Sequence, residues 1–221
     1  MSTYKTSKAK ENILRKVRTA LQADALPIPF PEAEKQASQK IYAALPEDTN
    51  EESFAITFTK AGGNFVFCND YCEMIAHLEQ LAEARNWKEV LCSNKALFSL
   101  LVNNKLPFVR EFNETHDWAD ACITDCEAAI ARTGSFVFSS RQNHGRVASV
   151  FFPVHIVVLT PNQILTDIDN ALNVLSRKYN GQLPSMLNIN TGPSRTADIE
   201  KTLVTGVHGP KEVFCFFVNQ Q

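Results

Sequence analysis

The chain has 221 residues and a formal net charge of −2 at pH 7. Its 44% hydrophobic and 21% charged residues are typical of a globular protein and exclude a disordered chain, a collagen or a coiled coil. Because basic residues are not in excess, nucleic acid is excluded as the main partner. No apolar run reaches the roughly 18 residues that a membrane-spanning helix needs, and no secretory signal is recognisable, so we expect a cytoplasmic protein.

The first 31 residues predict a helical arm followed by a linker. Apolar residues at helical spacing and many basic residues predict an amphipathic helix at 7–21. Pro27, Pro29 and Pro31 then stand at alternate positions, which forbids a helix and favours an extended chain. We therefore expect an N-terminal arm and linker at 1–31 and an α/β domain at 32–221.

Helices and strands alternate through the rest of the chain. Apolar periodicity predicts helices at 36–61, 71–86, 96–102, 163–179 and 197–203. Short runs rich in β-formers predict strands at 64–68, 89–92, 118–124, 135–139, 147–152, 155–159, 186–189 and 213–218. Such alternation is typical of an α/β fold, in which helices flank a mostly parallel sheet.

The cysteines predict structural thiols rather than a metal site. They are Cys68, Cys72, Cys92, Cys122, Cys126 and Cys215. None of their spacings is the C-x-x-C of zinc and iron–sulfur sites. Without a secretory signal, reduced and mostly buried thiols are expected.

The segment at residues 190–200 leaves a predicted strand and enters the helix predicted at 197–203. The N–H groups and dipole at the start of a helix favour a phosphate or a carboxylate. The candidate ligand-binding residues of this turn are Gly192, Pro193, Ser194, Arg195 and Thr196, with Arg195 as a bidentate clamp. Asp198 opposes simple anion binding and can instead hold an N–H group or position a hydroxyl. The alternative is a well-capped helix without a ligand.

His208 lies beside Gly209 in a loop directly after the same predicted helix. A loop histidine is free to meet a ligand and is a candidate acid or base. It can equally be a surface residue that stabilises a turn.

Glu127 lies in a largely apolar segment, where a carboxylate is costly unless it is paired or hydrogen-bonded. It is a candidate general base or nucleophile. The structural alternative is an ion pair with Arg132 or Arg146. The polar loop at 140–146 is a candidate cover for a cleft.

Three segments together resemble the LUD-domain family. They are residues 192–200 with 206–210 (GPSRTADIE and GVHGP), 128–135 (AAIARTGS) and 153–158 (PVHIVV). The resemblance covers roughly residues 50–218. It departs from the family at Arg132, where many relatives carry Glu before Thr-Gly. These segments add Thr133, Gly134, Ser135 and His155 to the candidate ligand-binding residues, and the polar loop adds Arg146.

The resemblance implies a Rossmann-like fold of the NagB/RpiA/CoA-transferase type with its ligand cleft at the strand ends. It also implies membership of a three-component system that oxidises L-lactate to pyruvate. The partners are then a cysteine-rich subunit and an iron–sulfur subunit, which hold the clusters, and no cofactor is expected on this chain. Two alternatives remain: an independent enzyme for small phosphorylated or acyl-CoA substrates that uses Glu127, and a purely structural subunit.

Overall fold

The computed structural model describes residues 8–22, 45, 49–113, 118–142, 147–199 and 202–220, and only the backbone at 197–199, 202 and 203. Its contacts divide the chain into two compact units, Met1–Ala44 and Leu45–Gln221. The first unit contains helix α1 (Lys8–Leu21), as the sequence predicts. The predicted proline linker and the 31/32 boundary lie outside the described residues, so that boundary stays a prediction.

A six-stranded parallel sheet forms the centre of the second unit. Its strands are β1 (Asn64–Cys68), β2 (Val90–Cys92), β3 (Val109–Glu111), β4 (Ala121–Thr124), β7 (Val154–Leu159) and β12 (Glu212–Val218). Their order across the sheet is β1-β12-β7-β4-β2-β3, and each neighbouring pair is parallel. The predicted α/β class is confirmed.

Polar N-cap residues precede three of the four helices in this unit. The helices of the unit are α2 (Asn50–Lys60), α3 (Tyr71–Arg85), α4 (Lys95–Asn103) and α5 (Ile168–Lys178). Thr49, Asp70 and Asn94 each accept a hydrogen bond from a backbone N–H in the first turn. These side chains satisfy N–H groups that the helix itself leaves free.

A second sheet lies on one face of the parallel sheet. It contains β8 (Ile164–Leu165), β5 (Ala128–Ile130), β6 (Ser135–Ser139) and β9 (Leu187–Thr191), in that order. A separate antiparallel pair, β10 (Arg195–Ile199) and β11 (Thr202–Thr205), follows β9 along the chain.

The two faces of the parallel sheet are buried differently. Helices α3 and α4 cover one face, where Met74 and Leu101 pack in a cluster with Ile156. On the other face, Phe54 of α2 and Phe136 of β6 join a second cluster with residues of β7 and β12. Side chains alternate along a strand, so His155 faces away from α3 and α4, toward the second sheet.

Three predicted elements are corrected. Residues 195–199 and 202–205 form the paired strands β10 and β11 where a helix was predicted at 197–203, because antiparallel pairing of β-branched residues such as Thr196 and Val204 prevails over the helix-start pattern. The strand predicted at 147–152 is a turn and bend. The helix predicted from 163 starts only at Ile168, after a 3-10 turn (Pro161–Gln163) and β8. No helix of the described ranges is long and apolar enough to cross a membrane.

Candidate functional site

A cavity of about 240 Å³ lies between the parallel sheet, the second sheet and the loop before β12. We call it the histidine cavity. Residues along its wall include His155, Asn190, Gly192, Ser194, His208 and Gly209. His155 and Val213 are the second residues of β7 and β12, so the cavity lies at the amino ends of these parallel strands. The resemblance implied a ligand cleft at the strand ends, and this cavity lies at the amino ends of two strands of the parallel sheet.

The two turns that flank the β10–β11 pair, 192–194 and 206–210, meet at this cavity. The N–H of Ser194 donates to the carbonyl of Pro210 over 2.9 Å, and the N–H of Gly206 donates to the carbonyl of Ser194 over 2.9 Å. A Cβ at Gly209 would lie only 2.8 Å from the Cβ of Ser194. The close approach of the two turns therefore depends on a residue without a side chain at 209.

Gly192 and Arg195 hold the first turn against the end of α2. Gly192 has a φ of +63°, and a Cβ there would lie 2.6 Å from the carbonyl oxygen of Ala61. The Nη2 of Arg195 donates to that same oxygen over 2.7 Å. Arg195 is therefore a structural contact of α2 and does not line the cavity, contrary to the expected clamp.

The expectation that a helix start binds an anion here is wrong, because strand β10 begins where that helix was predicted. Hydrogen-bond donors are nevertheless present. Within the described residues, the backbone N–H groups of Gly192, His208 and Gly209 make no hydrogen bond. No Asp or Glu is among the described residues that line the cavity. The wall can thus hold a small anion with neutral donors.

His155 forms the buried part of the wall. Its Nε2 lies 2.8 Å from the Oγ1 of Thr124, and its ring packs 5.4 Å from that of Phe138. Burial lowers the pKa of His155 from 6.5 to about 3. The imidazole is therefore neutral at physiological pH and carries one N–H.

Residues 133–135 contact the cavity wall through Thr191. The Oγ of Ser135 donates to the Oγ1 of Thr133 over 2.7 Å and lies 2.6 Å from the Oγ1 of Thr191, which lines the cavity. Gly134 has a φ of +62°, and a Cβ there would lie 2.3 Å from the backbone N of Phe58. These three residues are therefore near the wall without forming it.

Glu127 lies apart from the histidine cavity, in a buried cluster of its own. Lys178 Nζ donates to its Oε2 over 2.7 Å, and Ser139 Oγ and Tyr179 OH donate to its Oε1 over 2.5 Å each. Burial raises the pKa of Glu127, but these hydrogen bonds outweigh it and hold the pKa below its usual value. Arg132 pairs with Asp167 instead.

The remaining candidates are placed as follows. Pro193 lines the histidine cavity, whereas Thr196 is half-buried outside it. Arg146 and the side chain of Asp198 lie outside the described residues. Sequence reasoning missed Asn190 and Thr191, although both directly precede Gly192 at the end of a predicted strand.

The cysteines are all free thiols. Five are buried, and only Cys72 is exposed. Burial raises the pKa of Cys92 to about 12, so this thiol is not a reactive thiolate at neutral pH. Across the described ranges, no three His, Cys, Asp or Glu side chains are grouped to hold a metal ion.

The model of the LUD domain family matches residues 14–218. The chain belongs to the LUD domain family. The family resemblance seen in the three sequence segments is confirmed. The chain is 28% identical to an uncharacterized protein of Neisseria meningitidis serogroup B, over 93% of this chain and 91% of that one.

Other relatives of the chain are named lactate utilization protein C. That of Anoxybacillus flavithermus is 35% identical over 46% of this chain and 44% of the relative. The protein of Bacillus subtilis is 33% identical over 47% of this chain and 44% of the relative. Each match thus spans less than half of either protein.

A solved structure supports the LUD-domain fold. The crystal structure of a DUF162 family protein from Deinococcus radiodurans superposes with a TM-score of 0.57 at 20% identity. It covers 77% of this chain and 96% of that one. At this identity the likeness concerns the fold alone.

Proposed function

We propose that this LUD-domain protein serves in L-lactate oxidation by binding a small carboxylate, L-lactate or pyruvate, in the histidine cavity. Relatives named lactate utilization protein C support the pathway. The observation that carries the binding proposal is the convergence of the 192–194 and 206–210 turns on one cavity that no carboxylate of the described residues lines.

The chemistry of the wall suits a carboxylate. A carboxylate offers two oxygens, which accept hydrogen bonds from hydroxyl, amide and imidazole groups. Ser194 supplies a hydroxyl, His208 a ring N–H, and Gly192 and Gly209 supply backbone N–H groups that are free within the described residues. His155 stays neutral, so it can hydrogen-bond the acid without adding charge.

The size of the cavity favours a small acid over larger ligands. Ligand sites for drug-sized molecules usually measure about 300–1,000 Å³, and this cavity has about 240 Å³. An organic acid of three carbons fits better than a nucleotide or coenzyme A. In this proposal the chain binds and orients the acid, and the electrons pass to clusters in cysteine-rich and iron–sulfur partner subunits.

The alternative of an enzyme with a covalent intermediate at Glu127 has no support from the geometry. Both carboxylate oxygens of Glu127 already accept hydrogen bonds, and the residue does not line the histidine cavity. A nucleophile needs a free oxygen facing its substrate.

Calorimetric titration of the purified chain with L-lactate and with pyruvate tests the proposal. We expect binding of at least one acid, and about a 10-fold loss of affinity in Ser194→Ala and in His208→Ala, because each removes a hydrogen bond to a charged group. Ser99→Ala, at an exposed serine of α4, and His77→Asn, on α3, are the matched controls. Absence of binding in the unmodified chain, or unchanged affinity in both cavity variants, contradicts the proposal.

A further inference from the structure

His155 has one ring nitrogen that is bonded and one that is open to the histidine cavity. The residue is only 2% exposed, its Nε2 lies 2.8 Å from the Oγ1 of Thr124, and its Nδ1 makes no hydrogen bond within the described residues. Every fully buried side-chain nitrogen or oxygen atom of the described residues has a partner, so Nδ1 is not enclosed by protein atoms. Because His155 lines the histidine cavity, Nδ1 is the polar atom that it offers to a ligand there.

The histidine cavity has a polar, accessible end and a buried, apolar end. His208 is exposed and Ser194 is half-buried, and both belong to the two turns that supply donors for a carboxylate. His155 is instead buried with Phe136 and Val213, which are 1% and 3% exposed. A charged group is more stable at the accessible end, where water solvates it. A bound acid therefore directs its carboxylate to the turns and the rest of the molecule toward His155.

We propose that the Nδ1 of His155 hydrogen-bonds the oxygen on C2 of the bound acid and makes the cavity selective for 2-hydroxy and 2-oxo monocarboxylates. This inference rests on the proposed function, because it takes the carboxylate to be held by the two turns. C2 is bonded to the carboxylate carbon, so its oxygen is the first polar group that the acid presents toward the buried end. Phe136 and Val213 offer apolar contacts to a methyl group on C2.

The partner of Nε2 allows His155 to bind the acid in both oxidation states. The hydroxyl of Thr124 can donate to Nε2 or accept from it, so the ring proton can reside on either nitrogen. With the proton on Nε2, Nδ1 accepts a hydrogen bond from the hydroxyl of a 2-hydroxy acid. With the proton on Nδ1, the ring donates to the carbonyl of a 2-oxo acid. The ring is neutral in both arrangements, as the lowered pKa of His155, about 3, requires.

Thr124 has surroundings that suit both arrangements. When Nε2 donates to its Oγ1, the hydroxyl proton of Thr124 needs another acceptor. Thr124 also lines a second cavity, of about 10 Å³, together with Asp125 and Gln142. That volume holds about one water molecule, which can accept the proton.

The buried end disfavours two other classes of acid. An acid without an oxygen on C2 leaves Nδ1 unpaired in a buried position, which lowers its affinity. A dicarboxylate places a second negative charge beside a neutral imidazole and apolar side chains. Neither Lys nor Arg is among the described residues that line the cavity, so that second charge has no ion pair there.

Calorimetric titration of the purified chain with L-lactate, pyruvate and propionate tests the inference, because these acids share the carboxylate and differ at C2. L-Lactate and pyruvate should bind at least about 10-fold more tightly than propionate. His155→Gln should bring this ratio close to 1, since the Gln amide lies near the position of Nε2 and leaves no polar atom at that of Nδ1. His155→Asn, whose amide lies near the position of Nδ1, should restore part of the preference. His77→Asn on α3 is the matched control and should keep the ratio.

NMR of the unmodified chain with ¹⁵N-labelled histidine provides the test if the variants at 155 do not fold. The chemical shift of each ring nitrogen shows whether it carries the proton. His155 is recognised as a ring that stays neutral from pH 8 to pH 5. L-Lactate should hold its proton on Nε2, pyruvate should hold it on Nδ1, and propionate should leave Nδ1 without a partner.

Three results overturn the inference and leave the proposed carboxylate site intact. They are propionate binding as tight as that of L-lactate, a preference that persists in His155→Gln, and identical His155 ring shifts with all three acids. Propionate titration of Ser194→Ala tests the two turns separately, because propionate has no oxygen on C2. If none of the acids binds, the proposed function fails and this inference fails with it.

Discussion

Gly209 determines how closely the two turns of the histidine cavity approach each other. The Cβ of any other residue would lie 2.8 Å from the Cβ of Ser194, a distance at which one of the turns must move. At the buried part of the same wall, His155 is held neutral by burial. Two single residues thus determine the width of the cavity and the protonation state of its wall.

Gly209→Ala should separate the two turns and weaken L-lactate binding. The clash should also lower the free energy of unfolding by about 1–3 kcal/mol, as overpacking does. Gly181→Ala is the control, because Gly181 has a φ of +76° but no atom within 4 Å of an added Cβ. That control should cost about 1 kcal/mol of stability and leave the affinity unchanged. Calorimetry measures the L-lactate affinity and urea unfolding measures the stability. Equal affinity in Gly209→Ala and Gly181→Ala contradicts the account.

His155 should make the stability depend on acid pH. In the unfolded chain histidine takes up a proton near pH 6.5, whereas the buried ring does so only near pH 3. Between these values the unfolded state binds more protons, so the free energy of unfolding falls as pH falls, by up to about 1.4 kcal/mol per pH unit.

His155→Gln removes this proton uptake. Urea unfolding at pH 7 and pH 5 should show a smaller loss of stability in the variant than in the unmodified chain. The pKa of Glu127 is lowered, so its contribution to the free energy of unfolding also falls in acid. This contribution is the same in the variant and in the unmodified chain. The same loss in both proteins would mean that the ring is not buried in a neutral form.

Among the elements, five of the six parallel strands were predicted and the edge strand β3 was missed, whereas the β10–β11 pair was predicted as a helix. Continuous apolar runs such as residues 213–218 predict buried strands, because both faces of the sheet are covered. Gly192, Pro193 and Ser194 look like a helix start, yet pairing of β10 with β11 determines the structure there. The contact between Ser194 and Pro210 joins the turns on either side of the β10–β11 pair, so a helix predicted there hides it. The candidate residues could therefore be named, but not their arrangement.

The Glu127 cluster joins α5 to the second sheet and should matter for stability rather than for binding. Glu127→Gln leaves Lys178, Ser139 and Tyr179 around an uncharged amide, and we expect a loss of about 2–4 kcal/mol in urea unfolding. Glu212→Gln breaks the exposed pair with Arg85 and should cost less than about 1 kcal/mol.

L-Lactate affinity should be unchanged in Glu127→Gln if the variant folds. A stable Glu127→Gln variant that no longer binds lactate would instead place this carboxylate at the ligand.

At the scale of the whole molecule, the two cavities differ in position and charge. The histidine cavity lies at the amino ends of β7 and β12, with no carboxylate among its described residues. A second cavity of about 10 Å³ lies at the carboxyl ends of β2 and β4 and is lined by Asp125. The first is therefore suited to an anion, and the contact between Thr124 and His155 joins the walls of the two cavities.

The most direct test of the central claim is a crystal structure of the chain with L-lactate. The account predicts the lactate carboxylate in the histidine cavity, within hydrogen-bond distance of the Ser194 hydroxyl and the ring of His208. Lactate bound elsewhere, or a ligand that contacts only one of the two turns, would contradict it.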